Sequence, residues 1–220
     1  MDELIVGGVD EAGRGSLIGP LVIAGVSIQS SKVSSLVEAG VKDSKLLSPS
    51  SRRSLYDIIL GLAKKVYVVE VSPREIDEYV LHGKRLHKLN YLEAKVMAKI
   101  ICEIEANLVY VDSPDIMCER FANIIKELVG SNISIVAENY ADKKYPIVSA
   151  ASIIAKVTRD RKIKELEQSY GEIGSGYPSD PKTRAFVKRW LETRGHLPDF
   201  VRLSWKSLKR IGSKSLDDFK

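Results

Sequence analysis

Residues 4–20, LIVGGVDEAGRGSLIGP, constrain this chain more than any other stretch. The apolar run at 4–9 is short, rich in β-branched residues and interrupted by Gly7 and Gly8. That favours a buried strand over a helix and leaves room for another backbone to come close. Asp10 and Glu11 then set two carboxylates side by side. Successive side chains on a regular strand point to opposite faces, so for both acids to share a site the strand is expected to end between them, with Ala12-Gly13 as the turn. Arg14 follows between Gly13 and Gly15, where backbone N–H groups can approach a sugar or phosphate with no Cβ in the way. A dinucleotide-binding loop is excluded by spacing. Gly13-x-Gly15-x-x-x-Gly19 has one residue too many for GxGxxG, and Pro20 keeps a helix from opening normally there.

A chain of 220 residues, 44% hydrophobic, is long enough for one substantial core and a small appendage. No run approaches the eighteen apolar residues of a membrane span, and the start MDEL is acidic where a signal peptide is basic, so a soluble, cytoplasmic, monomeric protein is expected. Cys102 and Cys118 have neither CxxC spacing nor nearby histidines, which suits a reducing compartment, argues against zinc and gives both a structural role. The net charge of +5 is unevenly spread: residues 181–220 hold eleven Lys/Arg against four Asp/Glu. A basic tail beside an acidic site fits a protein that grips a polyanion with one part and binds metal with another.

Further strands are expected at 21–28 and 64–71, with helices at 32–40 and 48–62, the latter opening on Pro49 in a favourable first-turn position. The three strands can form a meander. An apolar stripe at Leu89, Leu92, Val96, Ile100 and Ile104 marks a long helix across 84–106. A strand at 108–112, a helix at 116–128, a strand at 133–137 and a long helix at 147–168 complete the main body. Residues 171–181 are dense in Gly, Pro and Ser and read as a break. This divides the chain into 1–172 and a helical unit at 173–220, with helices at 182–192 and 200–210 and Trp190 and Trp205 as packing anchors.

Asp10 and Asp112 both close strands and so emerge at the carboxyl edge of a sheet, where α/β sites usually lie. Asp142, between a strand and the helix that follows Pro146, comes to the same edge. With Glu11 these make four acids whose mutual repulsion calls for cations. Oxygen-only ligands suit Mg²⁺ or Mn²⁺. Two such ions about 4 Å apart can hydrolyse a phosphodiester without a histidine or serine nucleophile. His82, His87 and His196 lack any metal or nucleophile-activating spacing and are taken as surface or structural residues. Asp115 reads as an N-cap and Asp160 as the partner of an exposed ion pair with Arg159 or Arg161.

The block GVDEAGRG, followed in order by KDSK (42–45), YVDSPD (110–115), NYADKKYPIVSAASIIAKVTRD (139–160) and GSGYPSDP (174–181), resembles the type 2 ribonucleases H, and within them the archaeal branch. The resemblance spans most of the chain. It implies an α/β fold with a ribonuclease H-like mixed sheet flanked by helices, to which a meander followed by αβαβα corresponds, and a small helical C-terminal extension that binds substrate. It implies that Asp10, Glu11, Asp112 and Asp142 are the metal-binding and catalytic acids. Substrates would be RNA–DNA hybrids and DNA duplexes containing ribonucleotides, cut on the 5′ side of a ribonucleotide to leave a 3′-hydroxyl and a 5′-phosphate. A 2′-hydroxyl is what separates RNA from DNA at a given sugar. The resemblance assigns its recognition to Gly13, Arg14, Gly15 and Tyr177; Lys42, Lys45 and Lys143 are candidate phosphate contacts.

Two other classes fit less well. A non-catalytic nucleic-acid-binding domain has no use for four acids at a strand edge, and Asp10-Glu11 is not the DxD pair of aspartyl-phosphate enzymes. Type 3 ribonucleases H carry an N-terminal substrate-binding domain, for which a first catalytic strand starting at residue 4 leaves no room. At the other end, Leu216 and Phe219 in SKSLDDFK have the spacing of the aliphatic and first aromatic positions of a sliding-clamp-binding peptide, although Ser213 stands in place of Gln and Lys220 in place of the second aromatic.

Overall fold

The computed structural model describes residues 3–41, 47–83, 88–130 and 132–211. The chain begins with β1 (Ile5–Ala12) and β2 (Leu21–Gln29), followed by α1 (Val33–Glu38), α2 (Pro49–Leu62), β3 (Lys65–Val71) and α3 (Pro73–His82). It continues through α4 (Lys88–Glu103), β4 (Leu108–Asp112), α5 (Cys118–Val129) and β5 (Ser134–Glu138). The last helices are α6 (Ala141–Lys144), α7 (Pro146–Tyr170) and α8 (Pro181–Arg194). One sheet of five strands runs in the order β3-β2-β1-β4-β5. β1 pairs antiparallel with β2, while β4 lies parallel to both β1 and β5. The fold is thus a mixed α/β sheet flanked by helices.

β1 is central and nearly continuously buried, as expected of a strand covered on both faces. Its glycines decide how close those covers come. A Cβ on Gly8 would lie 2.3 Å from the carbonyl oxygen of Ile147, so only glycine lets the first turn of α7 rest directly on the strand. On the other face, a Cβ on Gly7 would meet the side chain of Ile104, just beyond α4. The first half of α7 is correspondingly small and apolar, with Ala150, Ala151, Ile153, Ile154 and Ala155 all at 0% exposure against Val22, Ala24 and Val26 of β2. Burying each isoleucine contributes roughly 1.5–3 kcal/mol.

The chain divides into two compact units that interleave along the sequence, where a single cut near residue 172 was expected. The first comprises residues 1–12, 22–69 and 85–157 and holds most of the sheet. The second gathers 13–21, 70–84 and 158–220 around a core of Leu17, Ile18, Ile163, Ile173, Phe186, Val187, Phe200 and Val201. Trp190 and Trp205 pack against that core, as anchors should.

Two local expectations need correction, and one helix was missed. β1 does not end between Asp10 and Glu11: pairing with β2 carries it through Ala12, opposite Val22. A helix at 200–210 is replaced by a bridge from Val201 to Ile18, turns at 203–204 and 206–207, and one short 3-10 turn at Leu208–Arg210. Helix α3 was not anticipated. Ser72 accepts from the N–H of Glu75 at 3.2 Å and Pro73 opens the first turn, a capping pattern that SPRE spells out.

Candidate active site

Strand register brings the first two acids together. Val9 of β1 lies beside Val111 of β4 in a parallel pair, so the next residues, Asp10 and Asp112, project side by side at the carboxyl ends of both strands. The third acid arrives by a turn. After β5, Tyr140 takes a left-handed conformation (φ 59°) that starts the short helix α6, and Asp142 sits in its first turn. The N–H of Ala141 donates to Asp112 Oδ1 at 2.8 Å, which ties the turn to the strand end. Carboxylate oxygens of Asp10, Asp112 and Asp142 all lie within 4.8 Å of one another. Asp10 is 4% exposed and Asp142 2%.

Such crowding is costly for anions. Burial raises the Asp10 pKa from 3.8 to about 8, and the charges of Asp112 and Asp142 push in the same direction. The Ser152 hydroxyl and the N–H of Glu11, which donates to Asp10 Oδ1 at 2.7 Å, oppose the shift without cancelling it. A buried carboxylate that holds its proton near neutrality beside two further acids is a site completed by positive charge. The donors are all hard oxygens, and the two cysteines stand apart as free thiols, so the set fits Mg²⁺ or Mn²⁺ and not a sulfur-seeking ion.

Glu11 is placed differently from its neighbour. It remains inside the paired strand, opposite Ile23, and is not a member of the 4.8 Å cluster. Lys143 is exposed on α6, its ammonium 5.3 Å from the centre of the Tyr140 ring. Lys42, Lys45, Leu216 and Phe219 lie outside the described residues, as does His87. His196 is exposed, and its Nδ1 lies 3.0 Å from the Arg194 carbonyl oxygen.

Asp115 is a structural acid. Burial alone would raise its pKa, but hydrogen bonds from Arg120, the Met117 N–H and Asn90 outweigh that and lower it. It caps the approach to α5 from two residues before the N-cap position, which Met117 occupies. Asn139 donates to the carbonyls of Ser113 and Asp115 at 2.8 and 2.9 Å, fixing the loop that follows Asp112 to the turn that precedes Asp142.

Within the second unit, the Gly13–Gly19 loop and the 174–177 loop form one hydrogen-bonded body. The N–H groups of Leu17 and Ile18 both donate to the Gly176 carbonyl, at 2.8 and 3.0 Å. Gly13 has φ +83°, and a Cβ there would lie 2.9 Å from the Pro20 carbonyl oxygen, so the turn after β1 demands glycine. Gly15 is exposed and Arg14 half-buried.

Two buried arginines hold these loops, and sequence reasoning missed both roles. Arg202, 0% exposed, donates to the Arg14 carbonyl at 2.8 Å and to the Gly19 carbonyl through Nε and Nη2 at 3.2 and 3.0 Å. Arg159, 1% exposed, donates to the Ser175 carbonyl and stacks its guanidinium 4.7 Å from the centre of the Tyr177 ring. Arg159 does lie 3.3 Å from Asp160, but it belongs to the interior, not to a surface pair. Its position was legible: it continues the buried stripe of α7 through Ala151, Ala155 and Ile163 in steps of four. Arg202 sits in extended chain and gave no such signal.

Known proteins share this fold. The family description Ribonuclease HII matches residues 7–208. The ribonuclease HII of Thermococcus sibiricus is 46% identical over 95% of this chain and 92% of its own length. Among solved structures, ribonuclease H2 from Pyrococcus horikoshii OT3 superposes with a TM-score of 0.86 at 45% identity, covering 94% of this chain and 97% of that one. The ribonuclease HII of Archaeoglobus fulgidus, solved in complex with PCNA, also gives 0.86, at 42% identity over 97% of this chain and 100% of that one. With a buried oxygen-only acid cluster at the strand ends and relatives matched along nearly their whole length, this chain belongs to the ribonuclease HII family and is a metal-dependent endoribonuclease.

Proposed function

We propose that the protein hydrolyses the RNA strand of RNA–DNA hybrids and cuts on the 5′ side of single ribonucleotides embedded in duplex DNA, leaving a 3′-hydroxyl and a 5′-phosphate. The observation that carries this reading is the convergence of Asp10, Asp112 and Asp142 within 4.8 Å in a buried setting. Two divalent ions, Mg²⁺ or Mn²⁺, supply the chemistry when bound: an activated water on one side of the phosphodiester and charge neutralisation at the leaving oxygen.

The chain's own residues hold and orient. Asp10, Asp112 and Asp142 are the ligands, with Glu11 as the fourth acid of the set. The Ser152 hydroxyl and the N–H groups of Glu11 and Ala141 fix the carboxylate orientations before substrate arrives, so little reorganisation is left for the reaction itself. Gly13, Arg14, Gly15 and Tyr177 read the 2′-hydroxyl, and Lys143, with Lys42 and Lys45, contacts phosphates. Residues 173–220, with their excess of Lys/Arg, grip the duplex backbone.

A DNA duplex carrying one ribonucleotide, incubated with and without Mg²⁺ and its products mapped, tests the reading. Cutting 5′ of the ribonucleotide only with metal is expected; an intact duplex, or cutting that ignores the ribonucleotide, contradicts it.

The protein also works as a cytoplasmic monomer that docks on the sliding clamp through Leu216 and Phe219. The PCNA complex of the Archaeoglobus relative supports this, and the missing Gln and second aromatic make the contact weak. A peptide of residues 205–220 titrated into the cognate clamp should release heat, and a Leu216→Ala/Phe219→Ala peptide should not. Silence from both removes the clamp as a partner.

A further inference from the structure

We propose that Arg159 is a positioning residue for ribonucleotide selectivity, acting through Tyr177 and the Gly13 turn; this rests on the reading that those two elements sense the 2′-hydroxyl. The guanidinium is a single rigid plane that touches both loops. One face lies 4.7 Å from the centre of the Tyr177 ring, and Nη2 donates to the Ser175 carbonyl, two residues before that tyrosine. The same side chain runs beneath the turn after β1: a Cβ on Gly13 would lie 3.3 Å from Arg159 Cγ and 3.4 Å from Nε. A Cβ on Gly176 would lie 2.6 Å from Nη2. Both loops are therefore stripped to glycine where they cross this arginine.

The placement is expensive. Arg159 is 1% exposed, its ion-pair partner Asp160 is on the half-exposed side of the helix, and its Nε–H is buried with no acceptor among the described residues. A buried guanidinium with an unmet donor is a poor way to stabilise a core, since an apolar side chain of similar volume does that as well or better. It is an effective way to fix a ring and a turn in one frame, because a planar fork bonds in-plane and stacks out-of-plane at the same time. Lysine keeps the charge and the stem but can neither stack as a plane nor hold Ser175 while doing so. Arg202 has a different task, gripping the Arg14 and Gly19 carbonyls of the Gly13–Gly19 loop with its guanidinium over the Trp205 ring.

The test uses the full chain and two substrates, a DNA duplex with one ribonucleotide and a long RNA–DNA hybrid in which several registers can be cut. The quantity read is the ratio of kcat/KM on the first to that on the second, in proteins whose thermal melts show them folded. Arg159→Lys and Tyr177→Ala should each lower the ratio about tenfold. The double variant should be no lower than Tyr177→Ala alone, because the arginine acts through the tyrosine. Arg159→Gln, which keeps a planar end but loses the fork and the charge, should lower the ratio as well and serves if Arg159→Lys melts too early. An unchanged ratio in these variants, or losses that multiply to about a hundredfold in the double variant, overturns the positioning role while leaving the nuclease reading standing. A wild-type protein that cuts neither substrate overturns the nuclease reading itself.

Discussion

The carboxylate cluster at the ends of β1 and β4 and the glycine loops of the second unit are both buried polar regions, yet they handle polarity in opposite ways. In the cluster, three like-charged groups crowd within 4.8 Å and burial lifts Asp10 to about 8. In the loops, carbonyl oxygens are met by arginine forks and backbone N–H groups at 2.8–3.2 Å. The first region stores electrostatic strain that a cation relieves. The second pairs its loop carbonyls, although Arg159 Nε is left buried without an acceptor among the described residues, and it holds a shape. On the function proposed above, chemistry belongs to the strained region and recognition to the loops, so the two should respond differently to the same kind of perturbation.

The largest effect is expected from Asp112→Asn. Losing one oxygen ligand should cut metal-dependent turnover by about a thousandfold or more, roughly 4 kcal/mol of transition-state stabilisation, while binding to hybrid duplex persists on the basic surface. Near-normal turnover in Mg²⁺, measured beside a binding assay, would show that the cluster is not the reaction centre.

Next comes a stability effect of unusual sign. The Asp10 pKa is raised in the folded state, so the metal-free protein holds a proton there that the unfolded chain has released, and its stability falls as pH rises from about 4 to about 8. Asp10→Asn removes that slope. At pH 8 the variant, though inactive, should be more stable than metal-free wild type, and the gap should narrow at pH 5, as read from urea melts at the two pH values. Parallel melts for both proteins at the two pH values would show that the cluster is not strained.

A smaller loss is expected from Gly13→Ala. Its φ of +83° and the nearby Pro20 carbonyl penalise any Cβ, and the cost should be about 1–2 kcal/mol with no dependence on pH. On the proposed recognition role of this loop, ribonucleotide selectivity should fall with it. A variant of undiminished stability and selectivity would mean that the loop tolerates reshaping, and the contrast between the regions would lose one side.

Much of this was legible in the sequence because the relevant forces are local or periodic. Strands β1, β2, β4 and β5 appear as short apolar runs, and Asp10 and Asp112 stand where two of those runs stop. The failures lie where distant partners decide. Asp10-Glu11 looks like the end of a strand until β2 is seen to pair through Ala12. Residues 200–210 carry helix-compatible side chains, but Ile18 and Leu17 capture Val201 and Arg202 as extended chain. Arg159 was assigned to the surface because arginine usually is, although its place on an apolar stripe pointed inward. Helix α3 was a plain oversight, since Ser72-Pro73 with Glu75 is a start signal.

The central claim is that the buried acids form a divalent-metal site whose strain is released by the ion. Calorimetric titration of Mn²⁺ into the metal-free protein, repeated at pH 6 and pH 8 in buffers of different ionisation enthalpy, tests it most directly. Wild type should bind more tightly at pH 8 and release close to one proton per site at pH 6, because Asp10 must give up its proton to become a ligand. Asp10→Asn should bind at least tenfold more weakly and release none. Equal affinity and equal proton release in the two proteins would contradict the account.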